Sequence, residues 1–130
     1  MINTRPPAVA GAFYPGHPAT LAATVDQLLA EASAPAAIQP KALIVPHAGY
    51  IYSGSTAALA YAALEPWRRT IHRVVLLGPT HRVAVNGLAL PETEAFSTPL
   101  GTVRLDLQAI AALADLPQIV FSDRVHTDEH

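Results

Sequence analysis

Two of the six histidines in this chain stand in matching contexts. His47 closes Val45-Pro46-His47 and is followed by Ala48-Gly49-Tyr50, while His81 closes Leu77-Gly78-Pro79-Thr80-His81. Each lies just past a continuous apolar run, across a proline-containing turn. In open α/β sheets the space beyond the carboxyl ends of strands is where ligands bind. Imidazoles at the ends of neighbouring parallel strands, about 4.8 Å apart, can meet on one ion at nitrogen distances of about 2.0–2.1 Å. The chain has no cysteine, which excludes thiolate ligands and disulfides within it, so any ion it binds takes nitrogen or oxygen. Either histidine alone fits an ordinary loop residue bonded to the backbone. Their matching contexts put shared ligation on an equal footing with that reading.

The other polar signals are weaker. His17, His72 and His126 fall at a helix entrance, in a loop before a strand and in a loop after one, and they read as structural. Gly49 and Gly54, with Ser53 or Ser55, precede a helical stretch and could cradle a phosphate. The segment lacks both the G-x-G-x-x-G order and the Lys-Ser/Thr of a P-loop, so tight turning is the better account of these glycines. Tyr50 and Tyr52 are candidates for one wall of a pocket, although packing is the commoner use of such a pair. The residues assign no catalytic group.

These side chains need a scaffold of alternating helices and strands. Leu21, Val25, Leu28, Leu29 and Ala32 recur at helical spacing, and Pro18 suits a first turn, which predicts a helix from Pro18 to about Ser33. A Pro- and Ala-rich connection from Ala34 to Pro40 leads to Ala42–Val45, an apolar run typical of a strand covered on both faces. Ser53 or Ser55 is the expected cap of a helix through Ala57–Leu64, with Pro66 beyond its end. Arg73–Leu77 predicts a second buried strand, and the β-α-β order implies a parallel pair with a right-handed crossover. Val83–Leu90, broken at Asn86-Gly87, reads as a strand, and Thr98–Leu105 as a hairpin or edge excursion around Gly101. Asp106 is the expected cap of a helix over Leu107–Ala114, followed by a strand at Gln118–Phe121. The fold class is α/β with a mainly parallel sheet.

Composition narrows the function. Hydrophobic residues make up 51% and charged residues 14% of the 130, and mean hydropathy is +0.28, values that leave apolar surface for something else to cover and imply a large exposed hydrophobic patch and self-association of the chain by itself. Eight Lys plus Arg and a net charge of −2 supply no basic stripe, which argues against nucleic acid as partner. No apolar run reaches the roughly 18–20 residues of a membrane span, and Met1–Pro7 has no basic segment leading into an apolar one, so a cytoplasmic protein without a membrane partner is expected.

Pro46-His47-Ala48-Gly49-Tyr50-Ile51-Tyr52-Ser53-Gly54-Ser55, Leu77-Gly78-Pro79-Thr80-His81 and the closing Asp128-Glu129-His130 resemble the Memo family, called protein B of the AmmeMemoRadiSam system in bacteria and archaea. Ala10-Gly11-Ala12-Phe13-Tyr14-Pro15 fits the same family. The motifs follow the family's order, so residues 1–130 read as the N-terminal portion of a single Memo-like α/β domain. The resemblance implies a three-layer αβα sandwich similar to LigB-like class III extradiol dioxygenases, which are non-haem iron proteins. It implies that His47 and His81 hold iron or copper, and that the third family ligand is a cysteine, a residue absent here. Glu129 and His130 enter as pocket candidates beside Tyr50 and Tyr52. The function implied is a metal-dependent redox protein acting on an unknown small molecule. The alternative is a non-enzymatic adaptor binding a partner peptide in the equivalent pocket. Association with radical SAM and AMMECR1-like proteins is also implied by the resemblance.

Overall fold

The computed structural model describes residues 2–33 and 38–130, so residues 34–37 of the expected Pro- and Ala-rich connection lie outside the described residues. The chain is a mixed α/β protein with parallel strand pairs. It forms two compact units, one made of the chain up to Ala10 together with Gly78–His130, the other of Gly11–Leu77.

The Gly11–Leu77 unit is a helix pair. Helix α1 (Pro18–Glu31) starts as its sequence predicts, with Pro18 in the first turn, where its missing N–H costs nothing. Helix α2 (Tyr50–Ala62) buries Ser53, Gly54, Ala58 and Ala62. Gly54, Ala58 and Ala62 recur every four residues and form one small-residue row. That row lets α1 approach closely, because a Cβ on Gly54 would stand 3.1 Å from Leu28 Cδ1. A 3₁₀ turn at Glu65–Trp67 follows.

The other unit carries the strands. Strand β1 (Thr4–Arg5) pairs in parallel with β3 (Ala95–Thr98), with Thr4 opposite Ala95 and Arg5 opposite Phe96. Strands β3 and β4 (Gly101–Arg104) form an antiparallel hairpin. Gly101 takes φ +133° at the turn, a conformation open to glycine. Strand β2 (Leu88–Leu90) pairs in parallel with β5 (Ile119–Phe121), from Leu88 opposite Ile119 to Leu90 opposite Phe121. A parallel pair needs a long crossover. Here it contains the hairpin and helix α3 (Leu107–Leu113), capped as expected by Asp106, whose Oδ1 accepts from Ala109 N–H at 2.9 Å. Helix α4 (Asp123–Thr127) follows β5 directly and buries Val125. Ala95 is fully buried. Among the described residues no helix is long and apolar enough to cross a membrane.

Several expectations are corrected. Ala42–Val45 and Arg73–Leu77 form no strand and no parallel pair with each other. Nor are they covered, since Ile44 is fully exposed and Val74 to Leu77 are 74–83% exposed. An apolar run signals suitability for burial, but a strand also needs a ladder partner. The ladders among the described residues join β1 to β3, β3 to β4 and β2 to β5 instead. Helix α2 begins at Tyr50 rather than at a serine cap. Gly49 is its N-cap, Tyr50 N–H donates to Phe13 O at 2.7 Å, and Ser53 Oγ bonds back to Ala48 O at 2.8 Å from inside the first turn. The hairpin starts at Ala95, earlier than the Thr98–Leu105 reading allowed, because β1 supplies β3 with a second edge partner. Only the last three residues of Val83–Leu90 are strand.

Candidate metal centre

The strand-bearing unit gathers His81, Glu129 and His130. Their arrangement begins with α4, a five-residue helix too short to hold itself in place. Three side chains, through four hydrogen bonds, anchor it and the residues after it. Asp123 Oδ1 accepts from the main-chain N–H groups of Glu92 and Thr93 at 2.7 and 3.1 Å, fixing the start of α4 to the loop after β2. His126 Nε2 lies 3.1 Å from Ala89 O in β2. A carbonyl oxygen only accepts, so this ring carries its proton on Nε2. Beyond the helix, an Arg5 guanidinium nitrogen donates to Glu129 O, and the same guanidinium sits 4.9 Å above the Phe96 ring. Strands β1, β2 and β3 thus all bear on where Glu129 stands.

Glu129 in turn grips His81. Its Oε2 accepts from His81 N–H at 2.6 Å, and its Oε1 lies 2.5 Å from His81 Nδ1. The His130 ring stacks on that of His81, with centroids 4.4 Å apart and planes at 26°, and His130 Nδ1 is 3.7 Å from Glu129 Oε1. The Glu129 side chain is only 12% exposed, against 38% for His81. Burial pushes the Glu129 carboxyl up. The hydrogen bonds from the His81 main chain and ring, with the His81 charge, outweigh burial and hold it at about 2.

Sequence reasoning named His81, Glu129 and His130, and the structure brings these three together. His47 lies in the Gly11–Leu77 unit, exposed, three residues before α2. Tyr50 and Tyr52 are in that unit too but do not share a face. Two residues of α-helix turn through about 200°, so Tyr50 is half-buried, 5.8 Å from the Tyr14 ring, while Tyr52 is 80% exposed. Burial, with Tyr14 and Tyr61 nearby, pushes the Tyr50 hydroxyl up from its ordinary value. Arg5 and Asp123 were not singled out in the sequence. Arg5 sits in a proline-punctuated segment 124 residues from its partner, a separation at which no local pattern signals contact. Asp123 follows an apolar run and carried a readable cue only as an acidic residue opening a helix.

Comparison with known proteins matches the amino-acid sequence to a family. The Memo-like protein family model matches residues 5–130. A MEMO1 family protein of Aquifex aeolicus is 37% identical over 129 residues, covering 99% of this chain and 46% of that protein. A MEMO1 family protein of Methanocaldococcus jannaschii is 34% identical over 140 aligned positions, covering 100% and 48%. Protein MEMO1 of Danio rerio is 38% identical over 104 residues, covering 80% and 34%. The chain therefore spans between a third and a half of the length of these curated relatives. With the family's pattern matched along nearly all of its length, the chain belongs to the Memo-like protein family.

Proposed function

We propose that this chain supplies His81 and His47 to a centre for iron, with copper as the alternative ion, in a cytoplasmic redox protein of the non-haem, dioxygenase-like kind acting on a small molecule. The observation that carries the reading is the His81 imidazole, braced by a mostly buried carboxylate and stacked on a second imidazole. His47 joins the reading on its sequence context and the family resemblance. The donor set fits, since imidazole nitrogen suits iron, copper and zinc alike. When bound, Fe(II) would supply a redox-active centre with coordination positions beyond its protein ligands. The protein's part is to present imidazole nitrogens in fixed orientations, and since only an unprotonated nitrogen has a lone pair to give, metal binding competes with protons. Radical SAM and AMMECR1-like proteins are the partners this reading carries over from the resemblance.

Anaerobic Fe(II) titration of the chain and of its His47→Ala and His81→Ala variants tests the reading. Each variant should bind at least about tenfold more weakly, since each removes one of few protein donors. Full affinity in either variant overturns the shared centre. A second reading, a non-enzymatic adaptor that takes a partner peptide, is favoured by the exposure of Ile51 and Tyr52 on α2, 86% and 80%. It predicts peptide binding that Ile51→Asp abolishes and that chelation leaves untouched.

A further inference from the structure

We infer that Glu129 is the positioning residue of His81, fixing its ring with the proton on Nδ1 and presenting Nε2 as the ligand atom. This rests on the reading that His81 binds a metal, but its structural content does not depend on a metal being bound. An ionised carboxylate only accepts hydrogen bonds, so the ring nitrogen 2.5 Å from Glu129 Oε1 must be the one that carries the proton. In a neutral imidazole the lone pair then belongs to Nε2. The same carboxylate holds the His81 main-chain N–H through its other oxygen at 2.6 Å. Backbone and ring of one residue are thereby referred to a single rigid group, which limits rotation about the side-chain bonds between them. His130, stacked at 4.4 Å, restricts ring flipping from one face.

The geometry also decides between two roles for Glu129. Both of its oxygens engage His81, one at the main chain and one at Nδ1. Nδ1 and Nε2 sit on different edges of the ring, so a carboxylate committed to Nδ1 faces away from an ion on Nε2. Glu129 therefore orients a ligand rather than acting as one. Carboxylates that accept from the second nitrogen of a ligating histidine fix its tautomer and raise its basicity, and removing them typically weakens metal binding about 10- to 100-fold. The Arg5 bond to Glu129 O extends the brace to β1, so the orientation of His81 is tied to the parallel β1–β3 pair.

The test uses the whole chain with ¹⁵N-labelled histidine, free of metal, at a pH at least about one unit above the reference histidine value of about 6.5. Long-range ¹H–¹⁵N spectra report which ring nitrogen of His81 is protonated. The wild-type ring should be Nδ1-protonated. Glu129→Ala should shift it toward the Nε2-protonated form that unconstrained histidine favours. Glu129→Gln, of the same shape, keeps an acceptor oxygen and should retain more of the wild-type tautomer, and it guards against a folding defect in the alanine variant. In parallel, Fe(II) is titrated anaerobically into all three proteins, with at least tenfold weaker binding expected for Glu129→Ala. An Nε2-protonated His81 in the wild type, or a tautomer indifferent to both substitutions, overturns the inference. So does wild-type Fe(II) affinity in Glu129→Ala. Should the wild type bind no Fe(II) while its tautomer still depends on Glu129, the metal reading falls and the positioning role stands.

Discussion

Gly87 gives the sharpest steric test of the strand-bearing unit. It takes φ +117°, a region that side chains avoid, and a Cβ built there would lie 3.2 Å from the Gln118 carbonyl carbon and closer still to its oxygen. That oxygen accepts from Leu88 N–H at 2.8 Å, a bond at the head of the β2–β5 pair. Gly87→Ala therefore carries two costs. Backbone strain contributes on the order of 1–3 kcal/mol. Displacing the Gln118 carbonyl gives up a hydrogen bond worth about 0.5–1.5 kcal/mol, for a total of roughly 1.5–4.5 kcal/mol. Two other glycines separate these costs. Gly101 has φ +133° with nothing within 4 Å of an added Cβ, so Gly101→Ala meets the strain alone. Gly78 has neither positive φ nor a neighbour within 4 Å, and Gly78→Ala should change stability by less than about 0.5 kcal/mol. Urea unfolding followed by circular dichroism should rank the losses Gly87, then Gly101, then Gly78. Because β2 holds His126 through Ala89 O, Gly87→Ala should also speed hydrogen exchange at the His81 amide. A Gly87→Ala protein within about 0.5 kcal/mol of wild type, or one more stable than Gly101→Ala, would refute the reasoning.

Glu129 has its carboxyl held at about 2, below its ordinary 4.5, so the stability it contributes is complete above pH 4.5 and is lost as pH falls from there toward 2. Unfolding monitored across that window should show a steeper loss in wild type than in Glu129→Gln. Asp106→Ala should cost about 1 kcal/mol in urea melts by uncapping α3, with Asp106→Asn retaining most of the stability. Asp123→Ala leaves the main-chain donor of the buried Thr93 without its acceptor, while the exposed Glu92 N–H turns to water, and should cost about 1–3 kcal/mol and loosen α4, visible as faster amide exchange at Glu129. The exposed apolar run Val74–Leu77 should make the chain self-associate as its concentration rises, and sedimentation velocity should show Val75→Lys reducing that association.

Elements whose signals are local were legible in the sequence. Pro18 with a helical apolar stripe marked α1, Asp106 marked the cap of α3, and Ile119-Val120-Phe121 marked β5. The failures share a cause. Ala42–Val45 and Val74–Leu77 have the composition of buried strands, yet strand formation depends on a partner that the run itself does not encode. The reverse error fell on Thr4-Arg5, where flanking prolines hid a two-residue strand created entirely by pairing with β3. At α2 the serines drew attention because they cap helices well. The contact between the main chains of Gly49, Tyr50 and Phe13 places the true start earlier, and it links residues 36 and 37 positions apart.

The candidate site divides along the same line. His81 was legible from its own surroundings, an apolar run and a Pro-containing turn, whereas Glu129 and His130 entered only through family motifs. Nothing in the run Thr127-Asp128-Glu129-His130 says that its glutamate reaches a histidine 48 residues away. What makes that reach possible is that α4 is too short to be independent, so its placement is delegated to Asp123, His126 and Arg5. Each of those side chains is unremarkable in sequence, and each joins α4 or Glu129 to a different part of the strand-bearing unit. The orientation of one imidazole is therefore set by strand pairing rather than by the loop that carries it. Any substitution that loosens β1–β3 or β2–β5 should then reach His81 through Glu129 without touching either residue.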